Sequence, residues 1–203
     1  WYVSRGIDTG RSWQFFDDSL NDYWKKNGTP AGYRGTSYSP VVPIDIDNPS
    51  TNNLRTTLKH LDDVCGLDDI DVFYSGKKGY HIEIPSAFFG IEPSDYLPER
   101  IKRMISEMDI GADLSLYKMH QLYRMNNTLN VSGGSYKTRL DTGDVLDGMD
   151  IEDIKHRAKL PEVESFEMNN RLAKIGQSIP VLQNLWESTY DITILRIKRG
   201  VNE

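Results

Sequence analysis

Two short alternating runs joined by a glycine-bracketed loop constrain this chain more than any other feature. Ile70, Val72 and Tyr74 alternate with Asp71, Phe73 and Ser75, and Tyr80-His81-Ile82-Glu83-Ile84-Pro85 alternates again beyond Lys77-Lys78-Gly79. A period of two marks a half-buried strand, and two such runs separated by a turn pair as antiparallel neighbours. The pairing sends Tyr80 and Ile82 to one face of a sheet and His81 to the other. The apolar face must then be covered by helices.

The flanking sequence supplies them. Val41-Val42-Pro43-Ile44-Asp45-Ile46-Asp47 reads as an earlier strand that ends at Asn48-Pro49-Ser50, with Asp45 and Asp47 on the same face. Leu54, Leu58, Leu61 and Val64 make one apolar stripe of a helix over 51–65, capped by Ser50 or Thr51 and closed by Gly66. A second helix over 96–108 places Leu97, Ile101, Met104, Ile105 and Met108 on a shared face. Adding one later strand gives the order βαββαβ, which predicts an α/β (α+β) fold with a ferredoxin-like, or RNA-recognition-motif-like (RRM-like), sheet.

The rest of the chain divides around this core, taken as 41–145. Residues 1–40 are expected to form an N-terminal αβ layer, with a helix over 13–24 and a turn at Gly28-Thr29-Pro30. Runs 128–131 and 136–140 flank Gly133-Gly134 as a hairpin. Residues 146–203 read as mainly helical, with one helix capped by Asp150 and ending before Pro161, and others over 168–175 and 180–186. The chain starts at Trp1 and stops in Gly200-Val201-Asn202-Glu203, so the expectation is a single catalytic domain cut from a larger protein.

Composition narrows the setting. A chain of 203 residues, 38% hydrophobic, can bury a substantial core. It has no apolar run of the roughly 20 residues a bilayer span needs and no leader-like start, which predicts an intracellular (cytoplasmic) protein without a membrane partner. Cys65, the single cysteine, rules out an internal disulfide or a zinc cluster and sits on an apolar helical pattern. The net charge of −6 argues against a uniformly cationic nucleic-acid binder. Charge is unevenly spread, however. From Asp113 to Leu140 the only carboxylate is Asp113, whereas Lys118, Arg124, Lys137 and Arg139 are cationic, a pattern that can line a positive groove.

Asp45 and Asp47, two carboxylates at i and i+2 on one sheet face, can hold hard divalent cations, and a third carboxylate completes a two-metal site. Asp113, following the small pair Gly111-Ala112, is the best third ligand. In Ser75-Gly76-Lys77-Lys78-Gly79, glycines allow exposed amides to cradle phosphate while the lysines add charge. His81, on the strand face opposite Tyr80 and Ile82, can donate a hydrogen bond to a triphosphate oxygen if that face holds Asp45 and Asp47. Arg124 and Lys137 can add phosphate or base contacts, and Arg34 can reach a template. Each of these features is common alone. Their order along the chain carries the information.

An Asp-x-Asp strand, a Ser-Gly-x-x-Gly-x-His segment and a downstream acid, in that order, resemble the archaeo-eukaryotic primase superfamily, and in style the primase-polymerase domains of plasmids, phages and CRISPR-associated systems. The resemblance covers residues 41–161, including the helix that ends in Ala158-Lys159-Leu160-Pro161. It implies a DNA-directed primase/polymerase that joins NTP or dNTP to a 3′ hydroxyl on a single-stranded DNA template, with primer and two Mg²⁺ or Mn²⁺ ions. On it, Asp45, Asp47 and Asp113 are catalytic metal ligands, and Ser75 and His81 contact the triphosphate. Lys77, Lys78, Arg124 and Lys137 join them around the nucleotide, and Arg34, Asn126 and Arg139 bind nucleic acid. Further helicase, nuclease or CRISPR-related domains of the same polypeptide are implied partners. The sequence departs from the pattern at Lys78, where many relatives carry arginine with its bidentate fork. The alternative is an RRM-like nucleic-acid-binding module without catalysis. A replication-initiator nuclease would need paired histidines, and the strand reads His81-Ile82-Glu83.

Overall fold

The computed structural model describes residues 10–48, 50–162 and 178–198, with the side chains of its last helix described to Tyr190. The chain is mixed α/β, built on antiparallel sheets. Its first elements are the strands β1 (Gly10–Ser12) and β2 (Phe15–Phe16), the helix α1 (Ser19–Asn27) and the strand β3 (Ser37–Tyr38). There follow β4 (Val41–Ile46), α2 (Thr51–Cys65), β5 (Asp71–Tyr74), β6 (Tyr80–Pro85) and α3 (Leu97–Met108). Short strands β7 (Leu122–Arg124), β8 (Leu129–Asn130), β9 (Ser135–Tyr136) and β10 (Thr138–Leu140) precede α4 (Thr142–Leu146), α5 (Ile151–Arg157) and α6 (Pro180–Lys198).

Four strands make the main sheet in the order β10-β5-β6-β4, each pair antiparallel. β6 lies between β4 and β5, so α2 makes the crossover of a split βαβ unit, and the later strand β10 joins at the far edge beside β5. Register turns the period-two pattern into two chemically distinct faces. Val42, Ile44, Ile46, Val72, Tyr74, Tyr80, Ile82, Ile84 and Leu140 enter one core with Leu54, Leu58 and Leu61 of α2 and Ile101, Met104 and Ile105 of α3. Each fully buried aliphatic side chain there contributes about 1.5–3 kcal/mol. On the opposite face Asp45, His81, Phe73 and Arg139 stand in one cross-strand row, and Pro43, Glu83 and Asp71 in the next.

That second face is covered by the N-terminal layer. β1 pairs with β7, Trp13 packs edge-on against Tyr117, and the Tyr117 hydroxyl donates to the Pro43 carbonyl at 2.7 Å. The helix expected over 13–24 begins late, at Ser19. Residues before it are extended because Phe15 and Phe16 pair with Tyr38 and Ser37, while the Trp13 carbonyl accepts from the Ser39 hydroxyl. The Asp17 carboxylate then accepts from the Ser19 N–H at 3.0 Å and starts the helix.

The expected 128–140 hairpin is divided. β8 pairs with β9, whereas β10 leaves at Lys137 to join β5. Asp150 caps α5, and α4 is an added short helix capped by Asp141. The helix expected over 168–175 lies outside the described residues. α6 starts at Pro180 and docks on α3, where Thr189 and the Trp186 carbonyl bind the Arg100 guanidinium. Among the described residues no helix is long and apolar enough to cross a membrane.

Candidate active site

The C-terminal end of β4 is where the carboxylates meet. Because Ile46 turns into the core, Asp45 and Asp47 both face the opposite side, as their spacing predicts. Asp113 arrives from far along the chain through a backbone bond, its N–H donating to the Asp45 carbonyl at 2.7 Å. The sequence offers no sign of that contact, which uses the free edge of β4. All three aspartates line one open cavity of about 310 Å³ together with Ser75, Lys77, Lys78, His81 and Arg124.

Burial and crowding set the charge state of Asp45. Its carboxyl is pushed up from an ordinary 3.8 to about 6, first by burial and then by repulsion from Asp47 and Asp113. Asp113 is held as a capping residue, its two oxygens accepting from the Ser115 N–H at 2.8 Å and the Ser115 hydroxyl at 2.7 Å. Asp47 is held by Lys78, whose ammonium donates to Oδ2 at 2.8 Å, and this bond raises the proton affinity of Lys78. Asp47 and Asp113 are thus each held locally, and no three His, Cys, Asp or Glu side chains among the described residues converge as a ready-made metal cluster. The donor set is nevertheless all hard oxygen with excess negative charge, the kind that Mg²⁺ or Mn²⁺ takes.

His81 is 6% exposed and stacks on Tyr123 with ring centroids 4.5 Å apart. Burial first, and then the charges of Lys137 and Arg124, hold its imidazole well below the usual value, so it is neutral at pH 7. The 3.8 Å separation between His81 Nε2 and Asp45 Oδ1 is therefore neither an ion pair nor a hydrogen bond. Among the described residues His81 Nδ1 is buried without a hydrogen-bond partner, so the nitrogen able to donate toward the cavity is Nε2, on the Asp45 side.

Ser75 to Gly79 forms a closed loop. The Ser75 N–H donates to the Gly79 carbonyl at 2.9 Å, and the Gly79 N–H donates to Ser75 Oγ at 3.1 Å. Gly76, at φ +86°, leaves only 2.6 Å between the place of a Cβ and the Ser135 carbonyl oxygen, so the loop backs directly onto the turn between β8 and β9. From the other side, a Cβ on Gly133 would collide with the Gly76 carbonyl oxygen and with Lys77 Cα. Gly133→Ala is therefore expected to displace the loop, costing about 1–3 kcal/mol as overpacking does. Denaturant melts and circular dichroism check this: the midpoint should fall while helix content stays.

The remaining sequence candidates lie elsewhere. Lys137 is not in the cavity wall: its side chain is fully buried, with the ammonium donating to Glu83 Oε1 at 3.0 Å and to the Arg124 carbonyl at 3.2 Å. It also lies over the rings of Phe73 and Tyr123, and burial lowers its proton affinity. This corrects its expected place at the phosphates, because β10 leaves β9 at this residue and carries Lys137 beneath the floor. Arg139 is paired with Asp71 at 2.8 Å on the far edge of the sheet, and Arg34 approaches Glu99 at 4.0 Å. Neither lines the cavity, nor does Asn126.

Sequence reasoning missed Ser115, Gln121, Tyr123 and Asn130, all in the cavity wall. Two of them left a local signal. Asp113-Leu114-Ser115 is an acid two residues before a serine, the pattern of an Asx turn, and Asn130 three residues before Gly133 is another. Asn130 Oδ1 indeed accepts from the Gly133 N–H at 3.0 Å. In comparison with known proteins, no family model matches this chain and no curated protein matches it.

Proposed function

We propose that this chain is the catalytic domain of a template-dependent DNA primase/polymerase on an RRM-like sheet. One observation carries the reading: Asp45, Asp47 and Asp113, from two distant segments, share a cavity with the Ser75–Gly79 loop and a neutral histidine. Asp45, Asp47 and Asp113 would hold Mg²⁺ or Mn²⁺. When bound, two such ions supply Lewis-acid stabilisation of the attacking and leaving oxygens in phosphoryl transfer.

The residues of the chain then have separate tasks. The Ser75–Gly79 loop, with Lys77 and Lys78, receives the triphosphate of an NTP or dNTP through amides and ammonium charge. His81, kept neutral by burial, donates a hydrogen bond to a phosphate oxygen without a protonation step. Arg124 at the cavity wall adds positive charge near the leaving group. A primer 3′ hydroxyl attacks the α-phosphorus and forms the new O–P bond as its proton passes to solvent water, while the bond from the α-phosphorus to the bridging oxygen breaks and its electron pair leaves with pyrophosphate. Single-stranded DNA supplies the template.

A labelled-nucleotide assay on single-stranded DNA, with and without a primer and with Mg²⁺ or Mn²⁺, tests this. Metal-dependent extension is the expected result. The pairing of Asp47 with Lys78 and of Asp113 with Ser115 favours a second reading, an RRM-like nucleic-acid-binding module without catalysis. DNA binding without extension, together with no metal-dependent nucleotide binding by calorimetry, would establish that second reading instead.

A further inference from the structure

The Lys78–Asp47 pair sits inside the cavity, and its geometry is imposed by the fold. β4 and β6 are in register up to Ile46 opposite Tyr80, so Asp47 and the Ser75–Gly79 loop leave the sheet side by side. The closed loop then has little freedom in where it presents Lys78. The ammonium is 2.8 Å from Asp47 Oδ2, and both side chains are 54% exposed, open to exchange with solvent ions. Lys77, the neighbouring cation in the same cavity wall, makes no ion pair among the described residues. An ammonium and a divalent cation cannot both hold one carboxylate oxygen in the same way.

We propose that Lys78 is a built-in counter-ion which occupies Asp47 in the metal-free site, competes with the divalent cation for it, and is released toward the triphosphate when metal binds. The inference rests on the nucleotidyl-transfer reading of the three aspartates. Its consequence is coupling between metal and nucleotide. Metal entry breaks the Lys78–Asp47 bond, and the freed charge falls beside Ser75 and His81, where phosphate is received. By linkage, nucleotide that engages Lys78 raises the affinity of Asp47 for metal by the same factor. Without nucleotide, the lysine keeps Asp47 from capturing stray cations.

Mn²⁺ titration of the nucleotide-free protein, followed by electron paramagnetic resonance, reads the competition without any activity. Exposed ion pairs are weak, so Lys78→Gln is expected to tighten Mn²⁺ binding about two- to fivefold. Lys78→Arg, which keeps the pair, should remain at the wild-type value. Lys77→Gln removes the same charge from the same loop without breaking the pair, and should change Mn²⁺ affinity by less than half as much. Equal effects of Lys77→Gln and Lys78→Gln, or no effect of Lys78→Gln, overturn the counter-ion role while leaving the metal site standing. A wild-type protein that binds no Mn²⁺ overturns the nucleotidyl-transfer reading as well.

Discussion

Alanine at Asp45 or Asp47 is expected to abolish primer extension while the fold persists. Partners one shell away from a metal already cost 10–100-fold when removed, so loss of a direct carboxylate ligand should exceed about 100-fold. Folding is spared because Asp47 is exposed and Asp45 carries an ionisation that the folded state resists. The sign follows from that resistance. Asp45 keeps its proton up to about pH 6 when folded, against an ordinary 3.8, so the folded chain binds the extra proton between those values. Stability therefore falls as pH rises through the window, and the cost is complete above it.

Each tenfold change in proton affinity is about 1.4 kcal/mol, so ionised Asp45 costs up to about 3 kcal/mol. Asp45→Asn should accordingly raise the melting temperature at pH 7.5 in a chelator, and the gain should vanish near pH 4. Extension assays paired with melting curves check both halves. Full activity in either alanine variant sinks the metal assignment, and an Asp45→Asn gain that is constant with pH removes the electrostatic account. Asp45 is in this view kept at a cost to stability, because a cation is meant to relieve the repulsion around it.

How much of this was legible beforehand depends on distance along the chain. Asp45 and Asp47 fall on one face because strand periodicity alone assigns faces; that His81 shares it follows from the β4–β6 register, which the sequence leaves open. The Ser75–Gly79 loop was legible from periodicity too, lying between two alternating strands. Asp113 could be picked as a carboxylate in a basic stretch, but it docks through a long-range backbone bond to Asp45, which no local pattern announces. The extended Phe15-Phe16 pair was lost to a helical reading because its partner strand lies some 20 residues on at Ser37-Tyr38. Local periodicity cannot see such a partner. Lys137 was misplaced because the sequence shows a continuous strand where the chain changes sheets.

Lys137 also gives the largest expected effect on stability. Its ammonium is fully buried, its counter-ion Glu83 is 13% exposed, and the rings of Phe73 and Tyr123 lie 4.5 Å and 4.2 Å from the charge. Burying such a pair is costly in itself, and the pair returns that cost only while both members are present. Lys137→Ala leaves the Glu83 carboxylate without its cation and opens space under two aromatic rings, so a loss of about 3–5 kcal/mol is expected. Lys137→Met fills the space but not the charge deficit and should recover only part. Adding Glu83→Gln to Lys137→Met removes the stranded carboxylate and should bring stability close to wild type, a non-additivity that denaturant melts of wild type, Lys137→Met, Glu83→Gln and the double variant would measure. Additive losses would mean that the pair contributes nothing beyond packing. The folded double variant then separates two roles of Lys137. If its nucleotide affinity stays within a few-fold of wild type, Lys137 supports the floor beneath His81 and Tyr123; a loss above about tenfold would show that the ammonium leaves Glu83 to meet phosphate.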